Sequence, residues 1–204
     1  RHKGSIVFDG SEGNTFNGTL RALSLSDDSE PARIRFNKSA GVVVNDRLEV
    51  FGRVVLDRDN QIGDQATVAL GAVANFGPSA LDRSFLNFQG HSDTFTHLVF
   101  TNRNLIAEAA FLDTAGGTLT LLGDLITDTS DVTPILKGVI DLSAGNHLFN
   151  IGGSRFYGID VQAQFTGAGG FTKAGDAALL FRTNNTFTGS VSVNDGIVEA
   201  RHTQ

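Results

Sequence analysis

Residues 167–200 read GAGGFTKAGDAALLFRTNNTFTGSVSVNDGIVEA. Apolar runs (Phe171, then Leu179 to Phe181, then Val191 and Val193, then Ile197 and Val198) are each cut off by Gly, Asn or Asp, the punctuation of very short strands joined by tight turns. Around Val191 the order Ser-Val-Ser-Val alternates at period two. Both valines therefore share one face of a strand and both serines the other.

Strands this short bury little apolar area, and an isolated hairpin is marginal in water. They need repetition. A chain that turns every few residues and keeps an apolar side chain in each strand can wind so that every turn pairs with the turns before and after it. The expectation is an all-β fold, a right-handed parallel β-helix (β-solenoid) of roughly nine short turns.

The order Gly167-x-Gly-Gly-Phe-Thr-Lys-x-Gly175, then Leu179-Leu180-Phe181, Asn185-Thr186-Phe187-Thr188-Gly189 and Val193-Asn194-Asp195-Gly196 resembles the autotransporter-associated β-strand repeat of bacterial secreted and surface proteins. The resemblance is strongest over residues 167–200 and only suggestive upstream. It departs from the usual pattern at Phe171, where Leu is commoner, and at Arg182, where a small polar residue is usual. It implies a right-handed parallel β-helix, a passenger or stalk outside the cell, and no catalytic residues.

Composition points to the same class. Gly is 24 of 204 residues, against a usual share of about 7%, while Pro is only 3, so the glycines mark turns and not a collagen-like or disordered segment. The length suits one domain spanning residues 1–204. Net charge is −6 with both signs scattered, and a nucleic-acid partner would require a positive stripe. No apolar run approaches the roughly 18 residues of a membrane helix. Cysteine is absent, so neither disulfides nor thiolate metal sites hold the fold. The sequence has no Met and opens on Arg1, which leads to the expectation of a processed product or fragment of a longer secreted chain.

Asn14-Thr15-Phe16-Asn17-Gly18 repeats Asn185-Thr186-Phe187-Thr188-Gly189, and Asp93-Thr94-Phe95-Thr96-His97 echoes both. The separations, Asn14 to Asp93 and Asp93 to Asn185, each suit four turns of roughly 20 to 23 residues. In the middle, the register of residues 78–115 is open. Pro78 to Asn87 and Asn104 to Asp113 have apolar spacings compatible with a short helix as well as with strands, and Asn104 is a candidate N-cap. One short helical insertion is allowed for. Sixteen Phe residues with one Tyr and no Trp fit a dry interior, where a phenol O–H or indole N–H would need a partner. Asn184, Asn185 and Asn194 are read as turn residues, with stacked amide ladders as the alternative.

Several constellations bear on chemistry. His91, Asp93 and His97 sit at even spacing and would share a face of one strand as zinc ligands, but there they would span about 20 Å at roughly 3.3 Å per residue. Asp57-Arg58-Asp59-Asn60-Gln61 opens like a calcium loop, yet Ile62 stands where that loop needs Gly and Val68 where it needs Glu. A solvated turn is the simpler reading. Parallel β-helices also host polysaccharide hydrolases, which resemble one another in an Asn-Thr-Asp, an Asp-Asp, a Gly-His-Gly and an Arg-x-Lys. Here Asn14-Thr15 is followed by Phe16, Asp27-Asp28 lies in a polar loop, Gly90-His91 is followed by Ser92, and Arg33-Ile34-Arg35 precedes the His. The paired carboxylates of that chemistry are not in place. Gly167-Ala168-Gly169-Gly170 has no Lys in a phosphate-cradling position and reads as a turn.

No catalytic, cofactor or metal residue is therefore assigned, and no cofactor is expected. The expected function is a non-enzymatic, secreted or cell-surface structural solenoid. With no amphipathic helix to cap Ser5-Ile6-Val7-Phe8 or Ile197-Val198-Glu199-Ala200, its partners are expected to be other copies stacked end to end or flanking parts of a longer chain. The alternatives are an adhesin that binds glycans or surface proteins through its turns, and a polysaccharide-degrading β-helix enzyme.

Overall fold

A computed structural model describes residues 5–15, 17–23, 33–73, 84–103, 109–129 and 132–201. The strands in chain order are β1 (Ser5–Gly10), β2 (Thr19–Leu23), β3 (Arg33–Lys38), β4 (Arg47–Phe51), β5 (Arg53–Leu56), β6 (Thr67–Val73), β7 (Phe85–Asn87), β8 (Asp93–Phe95) and β9 (His97–Arg103). They continue as β10 (Phe111–Leu121), β11 (Leu125–Thr129), β12 (Ile135–Leu142), β13 (Asn146–Gly153), β14 (Tyr157–Gly167), β15 (Gly170–Ala174), β16 (Ala178–Phe181), β17 (Val191–Val193) and β18 (Ile197–Ala200). No helix occurs among the described residues. Of the two windows left open between helix and strand, Phe85 to Asn87 and Phe111 to Asp113 are strand, while 78–83 and 104–108 lie outside the described residues.

All pairings are parallel and fall into two sheets. The first runs β1-β3-β5-β7-β10-β12-β14-β16-β18 with β8 also on β10, and the second β17-β15-β13-β11-β9-β6-β4-β2. The chain thus passes back and forth between the sheets, adding one strand to each on every pass except at β7 and β8, which both join the first sheet. This arrangement is consistent with a β-solenoid. Parallel strands cannot be joined by tight hairpins, so the connection has to cross to the other sheet before returning.

Register follows side-chain alternation. On the inner side of the first sheet, Ile6, Ile34, Val54, Leu86, Leu112, Leu136, Val161, Phe181 and Ala200 are partners in succession. Leu20, Leu48, Val68, Leu98, Leu125 and Phe149 form the matching column of the second. The columns meet in one buried core, where Phe149 touches Phe165 edge-on at 5.7 Å and stacks on Phe171 at 4.4 Å.

The repeated Asn/Asp-Thr-Phe unit has a structural counterpart. Asp93 aligns with Leu119, Ile140 and Phe165, and Phe95 with Leu121, Leu142 and Gly167. The amides of Thr186 and Thr188 extend those ladders by donating to Phe165 and Gly167. Asp93 to Asn185 therefore is four passes, as the spacing predicts. Asn14 to Asp93 is three passes and not four: Asn14 bonds Val42 and Val43, Val43 bonds Gln61, and the amide of Gln61 bonds Asp93. Two of the three passes there are longer, 28 residues between the partners Ile6 and Ile34 and 32 between Val54 and Leu86, against 20 between Val161 and Phe181. Residues 24–32 and 74–83, which fall within these two passes, lie outside the described residues.

The turn asparagines both cap turns and tie passes together. Asn185 Oδ1 accepts from the Phe165 amide at 2.8 Å, and its Nδ2 donates to Thr183 within its own turn at 3.3 Å. Ser84 does similar work at the opposite edge, where its buried hydroxyl donates to the Val50 carbonyl and accepts from the Gly71 amide at 3.1 Å. Ser84→Ala leaves both backbone groups without that partner. It is expected to lower stability by about 1 kcal/mol in denaturant unfolding.

Candidate functional site

The three residues with zinc-like spacing do not converge. His91 Nδ1 lies 3.4 Å from Asp59 Oδ1, and His97 Nδ1 accepts from the Asp124 amide at 3.2 Å. Asp93 points inward between them and is 1% exposed. Its Oδ2 accepts from the amides of Gln61 at 2.8 Å and Ile62 at 3.2 Å, and its Oδ1 from Thr94 at 2.8 Å. Burial pushes the carboxyl up to about 7, although the three amides pull it down; the nearby Asp64 adds a smaller upward push. Among the described residues, no three of His, Cys, Asp and Glu gather in a group fit to hold a metal ion.

The calcium-like stretch is spent on neighbouring passes. Asp57 pairs with Arg35 at 2.7 Å and accepts from Gln89 at 2.8 Å, Arg58 reaches Asn37 at 3.0 Å, and Asp59 accepts from the Ser92 amide at 2.7 Å. Ile62 and Val68, the two positions that break the calcium pattern, are fully buried. Of the hydrolase-like fragments, Asn14 and Arg35 are engaged in these bonds between passes, Ser92 Oγ accepts from the Thr118 amide, and Asp27-Asp28 lies outside the described residues. The glycines at 167–170 mark a tight junction. A Cβ on Gly170 would lie 2.1 Å from the Ser190 carbonyl oxygen.

Two buried polar groups are absent from the sequence candidates. Lys173 continues the inner column after Phe149, and its side chain is buried. Its Nζ donates to the carbonyls of Ala174 at 2.9 Å, Gly175 at 2.5 Å and Asp195 at 3.0 Å, so each ammonium hydrogen has an acceptor. Burial pushes this ammonium below its ordinary value, against the opposing pull of Asp195 and Asp176. His147 occupies an inner position two residues before Phe149, with Nδ1 2.6 Å from the Gly123 carbonyl and Nε2 3.0 Å from that of Ser143. The period-two pattern carried the signal for both, since Lys173 shares the phase of Phe171, and His147 that of Phe149 and Ile151.

The outer face of the first sheet carries a third group. Phe85 and Phe111 are partners on adjacent strands and stack with centroids 4.9 Å apart and planes 26° apart. Arg53 lies over Phe85 at 5.7 Å and Lys137 over Phe111 at 5.1 Å. Further along this face, Tyr157 donates to Glu199 at 2.9 Å and accepts from Arg201 at 2.8 Å. The single tyrosine thus has partners for its hydroxyl outside the core.

A scan against protein-family models and searches of curated proteins and of solved structures find no match to this chain.

Proposed function

We propose that this chain is a stretch of right-handed β-solenoid, about nine coils long, that serves as a non-enzymatic scaffold outside the cell. It acts as a surface stalk or a fibre-forming unit. The observation that carries this reading is the inner column running in unbroken register from Ile6 to Ala200. The polar residues nearest to a catalytic or metal-binding pattern support it, because their hydrogen bonds join one pass to the next. The resemblance of residues 167–200 to the autotransporter-associated repeat supports an extracellular place and the handedness. Apolar side chains left open on the end strands, Ile6 at 61%, Val193 at 50% and Ile197 at 48% exposure, fit further pairing with another copy or with flanking coils.

Electron microscopy and sedimentation test the proposal. Nine coils at roughly 4.8 Å give a body on the order of 40 Å long. Rods of that length, or end-to-end multiples that lengthen with concentration, are expected; compact spheroidal particles would overturn the reading. Sustained release of reducing ends from acidic polysaccharides would overturn its non-enzymatic part. An adhesive role is the second reading, and the Phe85–Phe111 face favours it.

A further inference from the structure

We infer that the outer strip of the first sheet formed by Arg33, Arg53, Phe85, Phe111 and Lys137 is a docking surface for an acidic polysaccharide. Register places Arg33, Arg53, Phe85 and Phe111 side by side on successive strands, with Lys137 reaching back over Phe111 from the next. The strip runs along the stack of strands.

Charge is the first argument. Elsewhere on the surface, Arg21, Arg35, Arg47, Arg182 and Arg201 each pair with a carboxylate. Arg33, Arg53 and Lys137 have no such partner among the described residues, although the chain holds 22 acidic residues and carries a net charge of −6. Asp113 stands beside Lys137 in register on the same face, so the strip sets three cations against one carboxylate, a local surplus on an anionic protein.

The aromatic geometry is the second. Each ring has one face against the other ring and a cation at its opposite face, so ring faces are not free to stack on a sugar. Side chains stand roughly perpendicular to a sheet, and so the ring edges face solvent. An aromatic edge carries partial positive charge. Half-buried edges between Arg53 and Lys137 make a weakly hydrated electropositive ridge, which suits carboxylates spaced along an extended polymer. Arg33 and Arg53, on adjacent strands, are about 4.8 Å apart and Lys137 lies three strands beyond Arg53, whereas duplex DNA presents a charge every ~1.7 Å. One carboxylate per sugar ring matches this sparse array better than a phosphate backbone does.

The purified chain is tested for binding to polygalacturonate, neutral dextran and a single-stranded oligonucleotide. Binding to polygalacturonate at about 50 mM salt, lost by about 500 mM, with none to dextran, is expected. The Arg53→Gln/Lys137→Gln double variant is expected to bind at least about tenfold more weakly. Arg21→Gln/Arg47→Gln, on the second sheet, is expected to bind as the parent does, with circular dichroism unchanged in both variants. Absence of binding, equal loss in the two variants, equal binding to dextran or tighter binding to the oligonucleotide would each overturn the inference. It does not depend on the scaffold reading, which is tested by particle shape.

Discussion

Gly170→Ala is expected to destabilise the end of the molecule by about 3 kcal/mol, the upper range for forcing atoms into filled space. The added Cβ would sit 2.1 Å from the Ser190 carbonyl oxygen and 2.6 Å from its amide nitrogen, distances that only backbone displacement can relieve. Displacement is opposed on both sides. The Gly170 amide donates to Gly145 at 2.9 Å, and the Phe171 amide donates to that same Ser190 carbonyl at 2.9 Å. Pushing the strands apart strips β17 from β15, and with it the three paired residues Val191, Ser192 and Val193. The Lys173 bond to Asp195 is disturbed as well, since Asp195 lies two residues past the end of β17. Hydrogen exchange should therefore accelerate first over residues 187–200, with the midpoint of thermal unfolding lowered. Gly152→Ala is the matched control. Its Cβ meets nothing nearer than the Thr127 oxygen at 3.4 Å, ordinary contact distance, and a change within about 0.5 kcal/mol is expected. Equal effects at the two positions would show that loss of glycine freedom, and not crowding between passes, sets the cost.

The same junction shows what local sequence can and cannot fix. Alternation alone places Val191 and Val193 on the inner side, and the register agrees: they follow Phe171 and Lys173 in their columns. Yet they are 44% and 50% exposed, because β17 is the last strand of its sheet among the described residues. Face is a local property, whereas burial depends on a neighbour elsewhere in the chain. Phenylalanine behaves likewise. Phe36, Phe88, Phe95, Phe100, Phe149, Phe165 and Phe171 fill the interior as the composition predicts, but Phe85 and Phe111 stack outside it and Phe156 is 61% exposed. Nothing in the residue type distinguishes the two sets. Pass length was legible only where passes are short, which is why four passes separate Asp93 from Asn185 and only three separate Asn14 from Asp93. The partners that Asp93 and Lys173 find on a neighbouring pass, Gln61 and Asp195, lie 32 and 22 residues away and appear only once register is known.

Asp93→Asn is expected to remove a pH dependence that the parent protein carries. The Asp93 carboxyl, held near 7 in the fold by burial, has an ordinary value near 3.9 in an unfolded chain. A raised carboxyl favours the fold in its neutral form. Its stabilising contribution is complete below about 4 and is lost as pH rises through about 7, opposite to the behaviour of a salt-bridged aspartate. Between pH 5.5 and pH 8 the parent should lose roughly 2 kcal/mol through this group. Asparagine stays neutral throughout and can keep an acceptor aimed at the amides of Gln61 and Ile62, giving up the local contact to Thr94. The register supplies a precedent, since Asn185 stands four passes on at the equivalent place and already accepts from a neighbouring amide through Oδ1. The variant should therefore be more stable than the parent at pH 8, and the advantage should shrink or reverse at pH 5.5. Denaturant midpoints of both proteins across that range measure it, with other groups that titrate there common to the two curves. Parallel curves would mean that the three amides outweigh desolvation and hold Asp93 charged, so that the buried corner between residues 61–62 and β8 holds a fixed charge and not a titrating one.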